Sequence, residues 1–161
     1  MSNFVPDYAF ANVLSIDKRL FRGKELIIFD VDNTLFYPES TKIRPEILFW
    51  FKDVNKKYQC VCLSNSHTIQ QRKDAISSIL GCEIFMSDYR KPSKKLFMQI
   101  VRKYQVDPKK ILVIGDMQLT DVLFGNRNNA TTILVKPMST KELFSIRVVR
   151  TFEGLLFGRK K

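Results

Sequence analysis

The stretch ELIIFDVDNT, residues 25–34, carries four consecutive apolar residues, Leu26 to Phe29, into two carboxylates at Asp30 and Asp32. Similar runs recur at YQCVCLS (58–64), CEIFM (82–86), KKILVIGD (109–116) and TTILVK (131–136). Each is short, rich in branched apolar residues and followed by polar or turn-forming residues, as expected of a buried strand.

Helical spacing fills the intervals. Ile47, Trp50, Phe51 and Val54 share one face after Pro45, a favoured first-turn residue. Ile69, Ile76, Ile79 and Leu80 mark a second helix that Gly81 is placed to end. Leu96, Phe97, Ile100, Val101 and Tyr104 mark a third, with Ser93 as its N-cap and a turn at Asp107-Pro108. Strands alternating with helices predict an α/β domain whose parallel sheet is covered on both faces. Neither a repeat nor a low-complexity linker interrupts the pattern, so residues 1–161 are expected to form one domain.

The net charge of +11 points to an anionic partner: a phosphate, an anionic membrane surface or a nucleic acid. From Lys136 onward seven basic residues face two acids, Glu142 and Glu153, with Phe144, Leu155, Leu156 and Phe157 among them. This basic tail, about 139–161, is read as a helix that packs on the domain or touches an anionic membrane surface. Cys60, Cys62 and Cys82 lack paired metal spacing and suit a reduced core. No apolar run approaches the roughly 18 residues of a membrane span, and MSNFVPDYAF lacks a basic segment followed by an apolar one. A cytoplasmic location is therefore expected, with peripheral contact at the inner face of the membrane as its variant.

In open α/β sheets ligands bind beyond the carboxyl ends of the strands. There the sequence places Asp30, Asp32 and Thr34, then Ser64 and Asn65, then Lys91, then Asp116 and Asp121. Each alone has a structural reading as a cap, turn or surface charge. Together, clustered carboxylates repel unless a cation relieves them, and a hard divalent ion with oxygen ligands, Mg²⁺, is the economical choice. Carboxylates, a hydroxyl and an ammonium at one edge describe a phosphoryl-transfer site.

DVDNTL (30–35) resembles motif I, DxDxT, of the haloacid dehalogenase (HAD) superfamily; Ser64, Lys91 and GDMQLTD (115–121) match motifs II to IV in order. FVPDYAF, RKPSKKLF (90–97) and GDMQLTDVLFGNRNNATTILVKPM (115–138) are similar to the subfamily IIIA, YqeG-type phosphatases, relatives of which act on phosphatidylglycerophosphate. The likeness covers nearly the whole chain; Ser66-His67 departs from it where relatives more often carry another Asn. It implies a Rossmann-like three-layer core with a mainly parallel central sheet. It also implies roles: Asp30 as nucleophile, Asp32 as general acid and then base, and Thr34 as support for the loop holding Asp32. Ser64 and the Asn65 backbone would bind phosphate oxygens, and Lys91 would neutralise nucleophile and phosphate. Mg²⁺ would be held by Asp30, the Asp32 carbonyl and Asp116, with Asp121 as a further ligand or a partner of Lys91.

Only 33 positions separate Asp32 from Asn65, and fewer lie between Asn65 and Lys91, so no cap domain is expected. An open site favours a large substrate such as a lipid headgroup at a membrane. The leading expectation is a Mg²⁺-dependent phosphomonoesterase acting on phosphatidylglycerophosphate in phospholipid synthesis. The alternatives are a phosphatase of a soluble metabolite or nucleotide, or a basic RNA- or ribosome-associated binding protein. The last is disfavoured because no RNP-like motif, zinc spacing or basic run with interleaved aromatics is present. A phospho-receiver would not need the second acid, and no GxxxxGK[ST] loop exists. His67 is expected to be exposed at a helix start.

Overall fold

The computed structural model describes residues 3–139. The basic tail expected over about 139–161 lies, apart from Ser139, outside the described residues. Six parallel strands form one sheet: β1 (Tyr8–Phe10), β2 (Leu26–Asp30), β3 (Gln59–Leu63), β4 (Glu83–Ile84), β5 (Ile111–Gly115) and β6 (Thr131–Val135). Their order is β1-β6-β5-β2-β3-β4. The chain runs outward from β2 through β3 and β4, then returns to β5 on the other side of β2. That reversal makes the carboxyl ends of β2 and β5 the switch point where a ligand crevice forms.

Strand periodicity generates the three layers. Successive side chains of β2 point to opposite faces: Ile27 and Phe29 join one core cluster, Leu26 and Ile28 the other. The first cluster receives Ile47, Phe51 and Val54 of helix α1 (Pro45–Lys57) and Ile76 and Leu80 of α2 (Ile69–Leu80). The second receives Leu96, Phe97 and Ile100 of α3 (Lys94–Tyr104) and Phe124 of the short α4 (Leu123–Asn126). Tilted aromatic pairs, Phe29 on Phe51 at 5.1 Å and Phe97 on Phe124 at 5.2 Å, clamp the two faces. The helix signals act as expected: Pro45 opens α1, Ser93 accepts from the Lys95 amide, and Gly81 ends α2 at φ 65°.

The structure corrects the elements in three places. The strand expected over 82–86 contracts to Glu83–Ile84, an edge position that among the described residues pairs with β3 alone. β1 was not expected; its three residues are largely exposed and form a strand because they pair with Ile133, Leu134 and Val135. A π-turn, Gln118–Val122, precedes α4. No domain is inserted after β2 or β3: residues 31–44 fold back through bridges Asp32–Phe36 and Phe36–Ile43, and α1 follows directly. Among the described residues no helix is long and apolar enough to cross a membrane. Cys60, Cys62 and Cys82 are buried free thiols.

Candidate active site

Asp30 is the last residue of β2, and Asp116 follows β5. Both are buried, as are Asp32, Lys91 and Asp121. Lys91 Nζ lies 2.7 Å from Asp30 Oδ1 and 2.5 Å from Asp121 Oδ1, so one ammonium joins the end of β2 to the segment that follows β5. Burial alone would lower the Lys91 pKa; Asp121 and Asp30 outweigh it and raise it above the usual lysine range. For Asp121, burial and the charge of Asp30 push the pKa up despite Lys91.

Oxygen atoms of Asp30, Asp116 and Asp121 lie within 4.8 Å of one another. Three buried carboxylates this close call for positive charge beyond what one lysine offers. An all-oxygen anionic donor set of this kind suits a hard divalent cation such as Mg²⁺. Asp121 reaches the cluster because the π-turn brings it back over β5, where its Oδ2 accepts from the Met117 amide at 3.1 Å. Gly115 makes room for it: a Cβ there would collide with the Asp121 carboxylate.

Thr34 Oγ1 donates to Asp30 Oδ2 at 3.1 Å, so it helps to orient this carboxylate. Asn33, at φ 68°, turns the chain directly after Asp32 and receives the Ser139 amide on its Oδ1 at 3.0 Å. Asn65 joins motif II to motif III. Its Nδ2 donates to the Lys91 carbonyl at 2.8 Å, and its Oδ1 accepts from the Lys91 amide at 3.0 Å. His67 is exposed, with Nδ1 3.3 Å from Arg90.

Asp32 is where sequence reasoning missed a partner. Arg72, on α2, presents its guanidinium fork to Asp32, NH1 to Oδ1 and NH2 to Oδ2, both at 3.0 Å. The Glu39 amide adds a bond to Oδ1 at 2.7 Å, and Ser64 Oγ donates to Oδ2 at 3.1 Å. The signal for Arg72 was present: it falls at helical spacing on the buried face with Ile69 and Ile76, where a charge needs a partner.

The segment GNR (125–127) turns out to brace the site. A Cβ on Gly125 would strike Thr132. Asn126 donates to the carbonyls of Asn3 and Val5, holding the segment that leads into β1. Arg127 donates to the Pro92 carbonyl at 3.2 Å, beneath the loop that carries Lys91.

Comparison with known proteins agrees with this architecture. Residues 88–142 match the HAD-hydrolase-like family model. The chain is 35% identical to "Probable phosphatase YqeG" of Bacillus subtilis, over 98% of this chain and 92% of that one. It is 26% identical to "Phosphatidylglycerophosphate phosphatase 1, chloroplastic" of Chlamydomonas reinhardtii, over 96% of this chain but only 61% of that protein. A HAD family enzyme of Bacteroides thetaiotaomicron, solved as a magnesium complex, shares the fold at TM-score 0.55 and 11% identity, covering 76% of this chain and 99% of that one. The chain belongs to the YqeG-type phosphatases of the HAD superfamily.

Proposed function

We propose that this phosphatase hydrolyses a phosphomonoester through Asp30 and Asp32, and that phosphatidylglycerophosphate is its substrate. The observation that carries the mechanism is the buried group of Asp30, Lys91, Asp116 and Asp121 at the sheet's switch point. In the first step an Asp30 oxygen attacks phosphorus, the bond from phosphorus to the leaving oxygen breaks, and a proton on Asp32 passes to that oxygen. In the second, water attacks the aspartyl-phosphate, its proton returns to Asp32, and Asp30 is released. Lys91 offsets charge on Asp30 and the incoming phosphate, while Thr34 keeps the nucleophile aimed. Ser64 and the Asn65 backbone would meet phosphate oxygens. Mg²⁺ would be held by Asp30, Asp116, Asp121 and the Asp32 carbonyl. When bound it would supply electrostatic stabilisation of the phosphoryl oxygens.

Two features support a lipid headgroup. No inserted domain closes the site among the described residues. A cavity of about 180 Å³ beside Ser64 and Asn65 is walled by Met86 and Tyr89 together with His67 and Arg90. Those walls suit a leaving group that is partly apolar and carries a second anion. The named activity of the Chlamydomonas relative points the same way. On this reading the whole chain acts as one catalytic domain, with its basic tail at an anionic membrane surface.

The test is phosphate release from phosphatidylglycerophosphate in mixed micelles, with Mg²⁺ or chelator, for wild type and Asp30→Asn, beside an aryl phosphate. Mg²⁺-dependent turnover of the lipid far above the aryl phosphate, lost in the variant, supports the proposal. Turnover of soluble phosphates alone retains the mechanism and removes the lipid.

A further inference from the structure

We infer that Arg72 is a positioning residue for proton transfer, acting through Asp32. This rests on the role proposed for Asp32. The two Asp32 oxygens accept from both arms of the Arg72 fork, from the Glu39 amide and from Ser64. A planar fork with one donor on each oxygen fixes both the plane and the rotation of the group. Without the fork, the side chain would lose its planar pair of donors and could turn.

Arg72 is itself held from other directions. Nε donates to Thr68 Oγ1 at 2.9 Å and NH1 donates to the Ser40 carbonyl at 2.9 Å. The side chain thus ties three segments together: the start of α2, the loop after motif I, and Asp32. Among the described residues no cap domain stands over this loop, and the guanidinium draws it down onto the acid instead. Its own side chain is only 9% exposed, which leaves little room for contact with substrate. Its influence on the reaction therefore runs through the orientation of Asp32. Lysine cannot reproduce it, because an ammonium lacks the planar pair of donors.

The role has a signature that plain structural support lacks. A leaving phenol needs help from a proton only when it is a poor leaving group, so formation of the aspartyl-phosphate depends on Asp32 for phenyl phosphate and scarcely does for 2,4-dinitrophenyl phosphate, while the second step is common to both. Arg72→Met should lower kcat/KM, which reads only the steps through formation of the aspartyl-phosphate, by about 10²-fold on phenyl phosphate, within the range for general acid catalysis, and by under about tenfold on dinitrophenyl phosphate. Arg72→Lys should lie between Arg72→Met and wild type. The ratio of the two rates, taken on one preparation, is independent of how much protein has folded, so partial unfolding of a variant does not blur the result.

Asp32→Asn should show the same split, and Asp32→Asn/Arg72→Met should be no more selective than Asp32→Asn alone. Equal losses on both substrates in the Arg72 variants, or a double variant whose split is the product of the single ones, would overturn the inference. A split in Asp32→Asn without one in Arg72→Met would remove Arg72 alone. Absence of the split in Asp32→Asn would instead remove the proton-transfer role of Asp32, and the inference with it.

Discussion

Asn65 and Lys91 hold each other through two backbone-directed hydrogen bonds, 2.8 Å and 3.0 Å long, that clasp the loop after β3 to the loop after β4. The clasp places the lysine main chain, and the ammonium then spans Asp30 and Asp121. Asn65→Ala would strip partners from both the amide and the carbonyl of Lys91. Leaving such groups unpaired costs about 1–3 kcal/mol. The expected outcome is a Tm lower by several degrees and a kcat/KM reduced at least tenfold on any substrate, read by calorimetry and steady-state kinetics.

Lys91→Met would leave Asp30 and Asp121 facing each other without the ammonium. Removing one partner of a buried ion pair typically costs about 3–5 kcal/mol. The variant should be less stable than wild type at pH 7, and should recover part of the loss at pH 5 as the exposed repulsion is relieved by proton uptake. Denaturant titrations at the two pH values check this.

Mg²⁺ should raise the Tm of the wild-type protein in a concentration-dependent way, since a ligand that binds only the folded state stabilises it by mass action. Asp116→Asn removes one anionic oxygen donor from the cluster and should abolish most of that rise, and so should chelator. Thermal scans across a Mg²⁺ series distinguish the outcomes without an activity assay.

Gly115→Ala should fail in a particular way. The added methyl would occupy the space of the Asp121 carboxylate, so the π-turn or the strand end must shift. Overpacking of this kind costs about 1–3 kcal/mol. The fold should survive with reduced stability while phosphatase activity falls by about two orders of magnitude or more, since misplacing a catalytic group by about 1 Å can cost that much. Circular dichroism beside kinetics reads both.

The cysteines should be silent in the native state. Burial, with the neighbouring Cys82, raises the Cys60 thiol above the usual range; the hydrogen bond with Cys82, then burial, raises Cys62. A raised thiol pKa means the folded state resists ionisation. Its contribution to stability is intact below about pH 8.5, where unfolded cysteine ionises, and is lost progressively as pH rises above it. Labelling with a thiol reagent at pH 8 should be slow before denaturation and rapid after it. Stability should fall above about pH 8.5, with these two thiols contributing to the decline.

Much of this protein was legible in one dimension. Leu26 to Phe29 and Ile111 to Ile114 had to be buried strands, since only a sheet covered on both faces hides runs so uniformly apolar. The spacing of Ile47, Trp50, Phe51 and Val54 marked the buried face of α1, because helical period and burial are the same fact seen twice. Acids and a lysine placed after strands were expected together at one sheet edge, and the fold does bring Asp30, Lys91, Asp116 and Asp121 together there.

Tertiary structure alone decided the partnerships. β1 is a strand only because β6 offers it an edge. The clasp of Asn65 with Lys91, the seat of Asp121 over Gly115 and the fork of Arg72 on Asp32 join residues 26, 6 and 40 positions apart. Hydrophobic burial repeats along a helix or strand and so leaves a period in the sequence. A hydrogen bond or ion pair is directional and satisfied once, by whichever group the folded backbone brings within about 3 Å, and it leaves no period to read.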